Sequence, residues 1–279
     1  MSTVLVTGAT GFLGPYLVDA FNALGQVIGT ARSSSDRNCD LTDSNAVRAL
    51  LDDAKPDVVV HAAALTDVDL CEREPALAEK INRDATANVV KYLPQAAVFL
   101  YISTDQVYPS SGAPHVEGHE GPVNVYGSSK LAGEEAARRH ASTLVLRTNL
   151  FGVSRAAKAS SLVDFLIQKF RAREPVPLFS DVLFSPLHIQ TVVAICVEAI
   201  RRKMTGTFNL GSHGGMSKCD FALAVAHHLG LPTDGARPTQ STSLPARAPR
   251  PLDMRMDVSR IEKAFGRPMP TLADEIRKL

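Results

Sequence analysis

The chain has 279 residues, 45% of them hydrophobic and 21% charged, with thirty Lys and Arg against twenty-nine Asp and Glu. That composition excludes a disordered chain, a collagen-like repeat and a coiled coil, and the length suffices to bury a core without disulfide or metal staples. A formal charge of +1 argues against a broad nucleic-acid or anionic-membrane footprint. No apolar run approaches the roughly 18–20 residues of a membrane span, and the N-terminus runs from Met1-Ser2-Thr3 straight into a strand-like segment, so a cytoplasmic location and no membrane partner are expected. Cys39, Cys71, Cys196 and Cys219 are scattered, without C-x-x-C or a His at ligand spacing, which reads as free thiols and no metal site.

In chain order, Thr3 to Thr7 is a β-branched strand ending at Gly8. Phe12 to Leu24 has apolar residues at helical spacing and stops at Gly25. Gln26 to Thr30 is a second strand. Asp43 to Asp53 is a helix, with Thr42 as its expected cap. Pro56-Asp57 opens a third strand, Val58 to Val60, and Glu72 to Leu93 is a long helical pattern. Val98 to Ile102 is a fourth strand leading into Ser103-Thr104-Asp105. Tyr126 to His140 is a helix, and Leu144 to Leu146 a fifth strand. Continuous apolar strands alternating with helices predict an α/β fold, a doubly wound parallel sheet with ligands at the carboxyl ends of its strands. After Gly152 the alternation loosens. Ser160 to Arg173, Ile189 to Lys203 and Lys218 to Leu229 are helical patterns, Thr207 to Leu210 a strand, and Leu231 to Pro251 a Pro/Ser/Thr/Arg-rich irregular stretch. Two short helical patterns, Asp257 to Phe265 and Leu272 to Leu279, close the chain. The expected division is a dinucleotide-binding domain over 1–152 and a smaller, mostly helical substrate lobe over 153–279, some of whose elements pack back on the sheet.

Thr7-Gly8-Ala9-Thr10-Gly11-Phe12-Leu13-Gly14 joins the first strand to the first helix. Gly8 permits a tight turn, Gly11 lets the backbone approach a pyrophosphate, and Gly14 lets the helix pack on the strand, while the helix N-terminus offers free N–H groups to phosphate. Ala31-Arg32-Ser33 follows the second strand, where an acidic residue would select NAD. A cation there accepts a 2′-phosphate, which favours NADP(H) with NAD(H) as the alternative. Asp40 is a candidate for the adenine or, equally, for the lead into the following helix.

Tyr126 and Lys130 stand at i and i+4 and share one helix face. A ketone reductase needs an acid for the developing alkoxide, and a nearby ammonium lowers a phenol toward that task. Tyr-x-x-x-Lys is weak evidence alone. The glycine loop and Thr104 at a strand end, where its hydroxyl can hold a substrate oxygen, give it weight.

Together these motifs resemble the extended short-chain dehydrogenase/reductase superfamily, built on the Rossmann sheet, and within it the dTDP-4-dehydrorhamnose reductase family. Thr7 to Gly14 is similar to its T-G-x-x-G-x-x-G. His61 to Asp69 resembles the segment after the third strand, Ser103 to Tyr108 the S-T-D-x-V-[FY] strand end, and Asn124 to Glu134 the N-V-Y-G-x-x-K-L-x-G-E helix. Arg250-Pro251 and Asp257 resemble the ends of a C-terminal R-P-x-x-S-x-L-D. The resemblance implies Thr104, Tyr126 and Lys130 as catalytic residues. It implies cofactor contacts from Gly8, Thr10, Gly11, Phe12, Leu13, Arg32, Asp40, Leu41, Ala62, Ala63 and Ala64 with Tyr126 and Lys130. Substrate contacts would come from Thr66, Val68, Thr104, Asp105, Asn149 and Arg250. The implied reaction is reduction of the C4 ketone of a nucleotide-linked 4-keto-6-deoxy sugar, with no nucleic-acid partner and a homodimer left open.

Four departures stand out. Met254 and Met256 replace the Ser and Leu of the C-terminal motif, Tyr16 replaces a carboxylate that some members use in a metal-linked dimer, Asn149-Leu150-Phe151 replaces S-W-V, and Pro186-Leu187-His188 replaces Pro-Thr-x. The alternatives are an epimerase or 4,6-dehydratase on the same scaffold and a non-catalytic regulatory subunit. Gln106, where a dehydratase has an acid, disfavours the dehydratase. Arg250 reads equally as a diphosphate ligand or a surface residue, and His61 as a packed histidine lining the nucleotide.

Overall fold

The alternating pattern folds in the order that its apolar runs predict. The computed structural model describes residues 2–157, 159–243 and 247–279. Its first half runs β1 (Ser2–Thr7), α1 (Gly14–Phe21), β2 (Gly25–Ala31), β3 (Arg37–Asn38), α2 (Ser44–Ala54), β4 (Val58–His61), α3 (Val68–Arg73), α4 (Pro75–Glu79), α5 (Ala85–Tyr92), β5 (Val98–Thr104), α6 (Val125–Ala137) and β6 (Thr143–Thr148). The second half adds β7 (Leu150–Phe151), α7 (Leu162–Arg171), β8 (Val176–Phe179), β9 (Leu183–Phe184), β10 (Leu187–His188) and α8 (Ile189–Arg201). It ends with β11 (Gly206–Leu210), β12 (Met216–Ser217), α9 (Lys218–His228), β13 (Ala236–Thr239), α10 (Ser259–Phe265) and α11 (Leu272–Ile276).

Seven parallel strands form one sheet in the order β11-β6-β5-β4-β1-β2-β3. The strand order reverses between β1 and β4, which opens a crevice at their carboxyl ends. Period-two alternation divides each strand between two cores. Val4, Val6, Val58, Val60, Leu100, Leu144 and Leu146 face α1 and α8. Leu5, Val59, Phe99, Tyr101 and Val145 face α2 and α5. Burial on both faces is why these strands read as unbroken apolar runs. The second half therefore lends β11 and α8 to the sheet. It keeps a separate core in which Phe221 meets Phe151 and Phe184 edge-on at 4.9 and 5.3 Å.

Several local expectations are corrected. The first helix begins at Gly14 rather than Phe12, because Gly8 to Leu13 remain in the turn, and it ends at Phe21. Asp43, not Thr42, caps α2. Its carboxylate accepts from the Asn45 and Ala46 amides at 2.9 and 3.2 Å, a stronger acceptor than a hydroxyl. The long helix over 72–93 is broken. Glu74 leaves helical geometry ahead of Pro75, as the residue before a proline is pushed to do, and a π-turn at Lys80–Asp84 separates α4 from α5. Within 231–251, β13 pairs with β8, and Leu244 to Ala246 lie outside the described residues. Among the described residues no helix is long and apolar enough to cross a membrane.

Candidate active site

The glycine turn leaves an open cradle between β1 and β4. Gly8 has φ +71°, and a Cβ there would lie 2.8 Å from the Ala63 nitrogen. A Cβ on Gly14 would lie 2.3 Å from the Gly8 carbonyl oxygen, so side chains are excluded where α1 meets the turn. Ala62, Ala63 and Ala64 continue β4 along the other wall, and the Ala63 amide donates to the Thr7 hydroxyl at 3.3 Å. Arg32 stands exposed just past β2, where Ser35 and Asp36 accept from the Ala31 and Gly29 amides. Asp40 turns toward α2, accepting from the Thr42 amide and hydroxyl at 2.9 Å each, which gives it the helix lead-in geometry. Leu41 is buried, and its carbonyl accepts from Asn88.

The catalytic candidates meet at the carboxyl end of β5. Asn124 starts α6 by accepting from the Gly127 amide at 2.7 Å, and its own amide donates to Gln106 Oε1 and the Pro249 carbonyl at 2.9 Å each. One cap thus ties α6 to the loop after β5 and to the C-terminal segment. Tyr126 and Lys130 are both buried on α6. Lys130 Nζ donates to the Ile102 carbonyl at 2.7 Å and lies 4.0 Å above the Tyr101 ring. Burial pushes this amine down to about 7, against an opposing pull from Glu134. Burial also raises the Tyr126 phenol above its ordinary value, with hydrogen bonding from Thr104 acting the other way. Desolvation outweighs the lowering of the phenol expected from Lys130, whose amine donates to the Ile102 carbonyl.

Beside the phenol, Thr104 donates to Asp105 Oδ1 and accepts from the Gln106 amide, both at 3.2 Å. Asp105 is 1% exposed and its Oδ2 accepts from Asn149 Nδ2 at 2.7 Å. Val68 packs in one apolar cluster with Tyr126, while Thr66 is exposed just before α3. Thr104, Asp105, Tyr126 and Asn149 are therefore brought together. Arg250 forms a forked pair with Asp69 at 2.9 and 3.2 Å and thereby holds that carboxyl at about 2. Tyr16 donates to the Val153 carbonyl at 2.8 Å.

Two residues, Asn82 and Lys218, were given no contact in the sequence reading, while His61 is packed and hydrogen-bonded as that reading expects. Asn82, in the π-turn, accepts from the Leu65 amide at 2.8 Å and donates to the Leu65 carbonyl and Ser129, clamping the 62–66 loop to α6. His61 bonds Thr7 and Thr86 through its two ring nitrogens, and burial lowers it to about 3, so it is a neutral strut. Lys218, the first residue of α9, acts on Asp105 through its charge from the second half. Burial lowers its amine, with Asp105 acting against that fall. The polar residue within an apolar helix pattern was the only signal for Asn82. Nothing local marked Lys218.

The whole chain, residues 1–279, matches the RmlD substrate binding domain. It is 31% identical over 288 residues to the "Probable low-salt glycan biosynthesis reductase Agl14" of Haloferax volcanii, covering 98% of this chain and 96% of that one. It is 32% identical over 285 residues to the methionine adenosyltransferase 2 subunit beta of Pongo abelii, covering 93% and 81%. The crystal structure of dTDP-4-dehydrorhamnose reductase from Bacillus anthracis in complex with NADP superposes with a TM-score of 0.90 at 25% identity, over 99% of this chain and 98% of that one. Matched from end to end, with the glycine cradle and the Thr–Tyr–Lys cluster on a seven-stranded parallel sheet, the chain belongs to the RmlD substrate binding domain family.

Proposed function

We propose that the protein is an NAD(P)H-dependent reductase, favouring NADPH, of the C4 ketone of a nucleotide-linked 4-keto-6-deoxy sugar. The observation that carries this reading is the junction of Thr104, Tyr126 and Asp105 at the end of β5, next to a cradle that excludes side chains. Residues 1–152 would carry the dinucleotide and 153–279 the substrate lobe.

The residues present fit a dinucleotide. The Gly8 and Gly14 positions have no room for a Cβ, α1 opens toward the turn, and Arg32 is an exposed cation at the β2 end. When bound, the nicotinamide supplies a hydride to the carbonyl carbon. The Tyr126 phenol donates its proton to the oxygen that becomes the alkoxide, and the Thr104 hydroxyl holds that oxygen. Lys130, adjustable near neutrality, favours the phenolate left behind. The Asn82 clamp keeps the 62–66 loop against α6 and so sets the width between cofactor wall and phenol. Dehydratase chemistry is disfavoured, because Gln106 transfers no proton and its carbonyl is engaged by Asn124.

The test follows NADPH and NADH absorbance with a dTDP-4-keto-6-deoxy sugar. Oxidation by the wild type, lost in Tyr126→Phe, supports the reading, and the cofactor ratio reports on Arg32. A second reading, a regulatory subunit that keeps the nucleotide site, is favoured by the 32% identity to the methionine adenosyltransferase subunit beta. Tight dinucleotide binding without oxidation of either cofactor would select it.

A further inference from the structure

Thr104 has one hydroxyl proton and two lone pairs. One lone pair takes the Gln106 amide, and the hydroxyl faces Asp105 Oδ1 at 3.2 Å. The other Asp105 oxygen is held by Asn149 at 2.7 Å, and the carboxyl is 1% exposed, so water does not share it. An ionised carboxylate only accepts. It therefore draws the Thr104 proton to itself, and the remaining Thr104 lone pair lies toward the Tyr126 phenol, its other hydrogen-bonding partner. A protonated Asp105 reverses that bond, because its O–H donates to Thr104 and releases the threonine proton toward the cleft. A ketone oxygen offers only lone pairs, so it is served by the protonated form of Asp105, which frees the Thr104 proton.

We propose that Asp105 is a positioning residue that sets the direction of the Thr104 hydroxyl proton, presenting a donor to the ketone when protonated and withdrawing it when ionised, and that the charge of Lys218 biases the balance between the two forms. The proposal rests on the reductase reading and deepens it. No bond to carbon is added to the reaction, since only hydrogen bonds reorient and Tyr126 still supplies the proton. The titratable groups whose charge is coupled to Asp105 are Tyr126 from α6 and Lys218 from α9, and Lys218 is in turn influenced by the charges of Arg247 and Arg250. Lys218 is held by its backbone, whose amide donates to the Val182 carbonyl at 2.9 Å, and its ammonium lies 5.7 Å from the centre of the Phe184 ring. Burial raises Asp105 to about 6, against pulls from Asn149, Lys218 and Thr104, so both forms are populated near neutrality.

Two measurements test this. The first follows aspartate side-chain carboxyl carbons by NMR across pH, with Asp105→Asn assigning the signal. The expected midpoint is near 6 in the wild type and higher by about one pH unit in Lys218→Met. An Asp105 signal that stays ionised to pH 4 in both proteins overturns the proposal. The second is kcat/KM for the keto sugar with NADPH over the same range. The wild type should fall about tenfold per unit above the midpoint. The fall should move upward in Lys218→Met and vanish in Asp105→Asn, whose amide donates to Thr104 at every pH. A merely structural role would change the height of these profiles without moving the midpoint, and that outcome overturns the proposal even if Asp105→Asn folds poorly, because Lys218→Met reads it independently. A wild type that never reduces the ketone instead refutes the reductase reading itself.

Discussion

Two cations are buried at the junction of α6 with the sheet, and the fold treats them differently. Arg147 of β6 is fully buried and fully answered. It reaches Glu134 through two bonds of 2.9 and 2.6 Å, Tyr108 at 2.8 Å and Glu120 at 2.5 Å, and these partners raise its pKa despite desolvation. Lys130, one helical turn before Glu134, is 2% exposed and among the described residues its amine meets a backbone carbonyl and an aromatic ring. Glu134 could serve either cation, but its oxygens are taken up by Arg147, Arg138 and Ser103. The difference teaches what each region is for. A fully compensated ion network fixes β5, β6 and α6 in place, while an under-compensated amine beside the phenol keeps a charge that changes near neutral pH.

The contrast can be broken first at its functional end. Tyr126→Phe should lower kcat by about 10²–10⁴-fold in the keto-sugar assay while leaving thermal unfolding unchanged. A large loss of stability would mean that Tyr126 belongs with the structural network. At the other end, Arg147→Met leaves Glu134 buried without its main partner. It should cost about 3–5 kcal/mol in urea unfolding, far more than any surface arginine, and a loss below about 1 kcal/mol would remove the distinction.

The pH dependence sharpens the comparison further. Lys130 is about 7 in the folded chain against an ordinary value of 10.5. Between those values the unfolded chain holds a proton that the folded chain has released. Stability should therefore rise with pH from about 7 toward 10, by roughly 1 kcal/mol per unit. Below pH 7 both states are protonated and the fold bears the full cost of the buried charge. Lys130→Met should flatten the rise, and parallel stability curves for the two proteins would contradict the assignment. The smallest effect belongs to a third kind of cation, exposed and unpaired. Arg32→Ala should reduce the preference for NADPH over NADH roughly tenfold in KM, with no change in unfolding. An unaltered cofactor ratio would make Arg32 an ordinary surface residue.

Much of this arrangement was legible along the chain because its determinants are local. The glycine spacing needs only a strand before it and a helix after it. Tyr126 and Lys130 share a face because helices repeat every 3.6 residues. The strands declare themselves because burial on both faces leaves unbroken apolar runs. Where a local signal was weak, the reading slipped. Pro75 breaks a helix that apolar periodicity alone carries through, and the two-residue edge strand Arg37–Asn38 has no apolar pattern to betray it.

The sequence by itself determined the sheet class, the cradle and the candidate catalytic trio, since those follow from neighbours within one turn or one strand. Only the tertiary structure decided which charges are answered. Glu134 is four residues from Lys130 and thirteen from Arg147, yet it pairs with Arg147. The charge of Lys218 acts on Asp105 across more than a hundred residues, and Asp69 pairs with Arg250 from nearly two hundred away. Pairing of this kind depends on distances between strands and lobes, and burial then multiplies its consequence by removing the water that would otherwise level every charge.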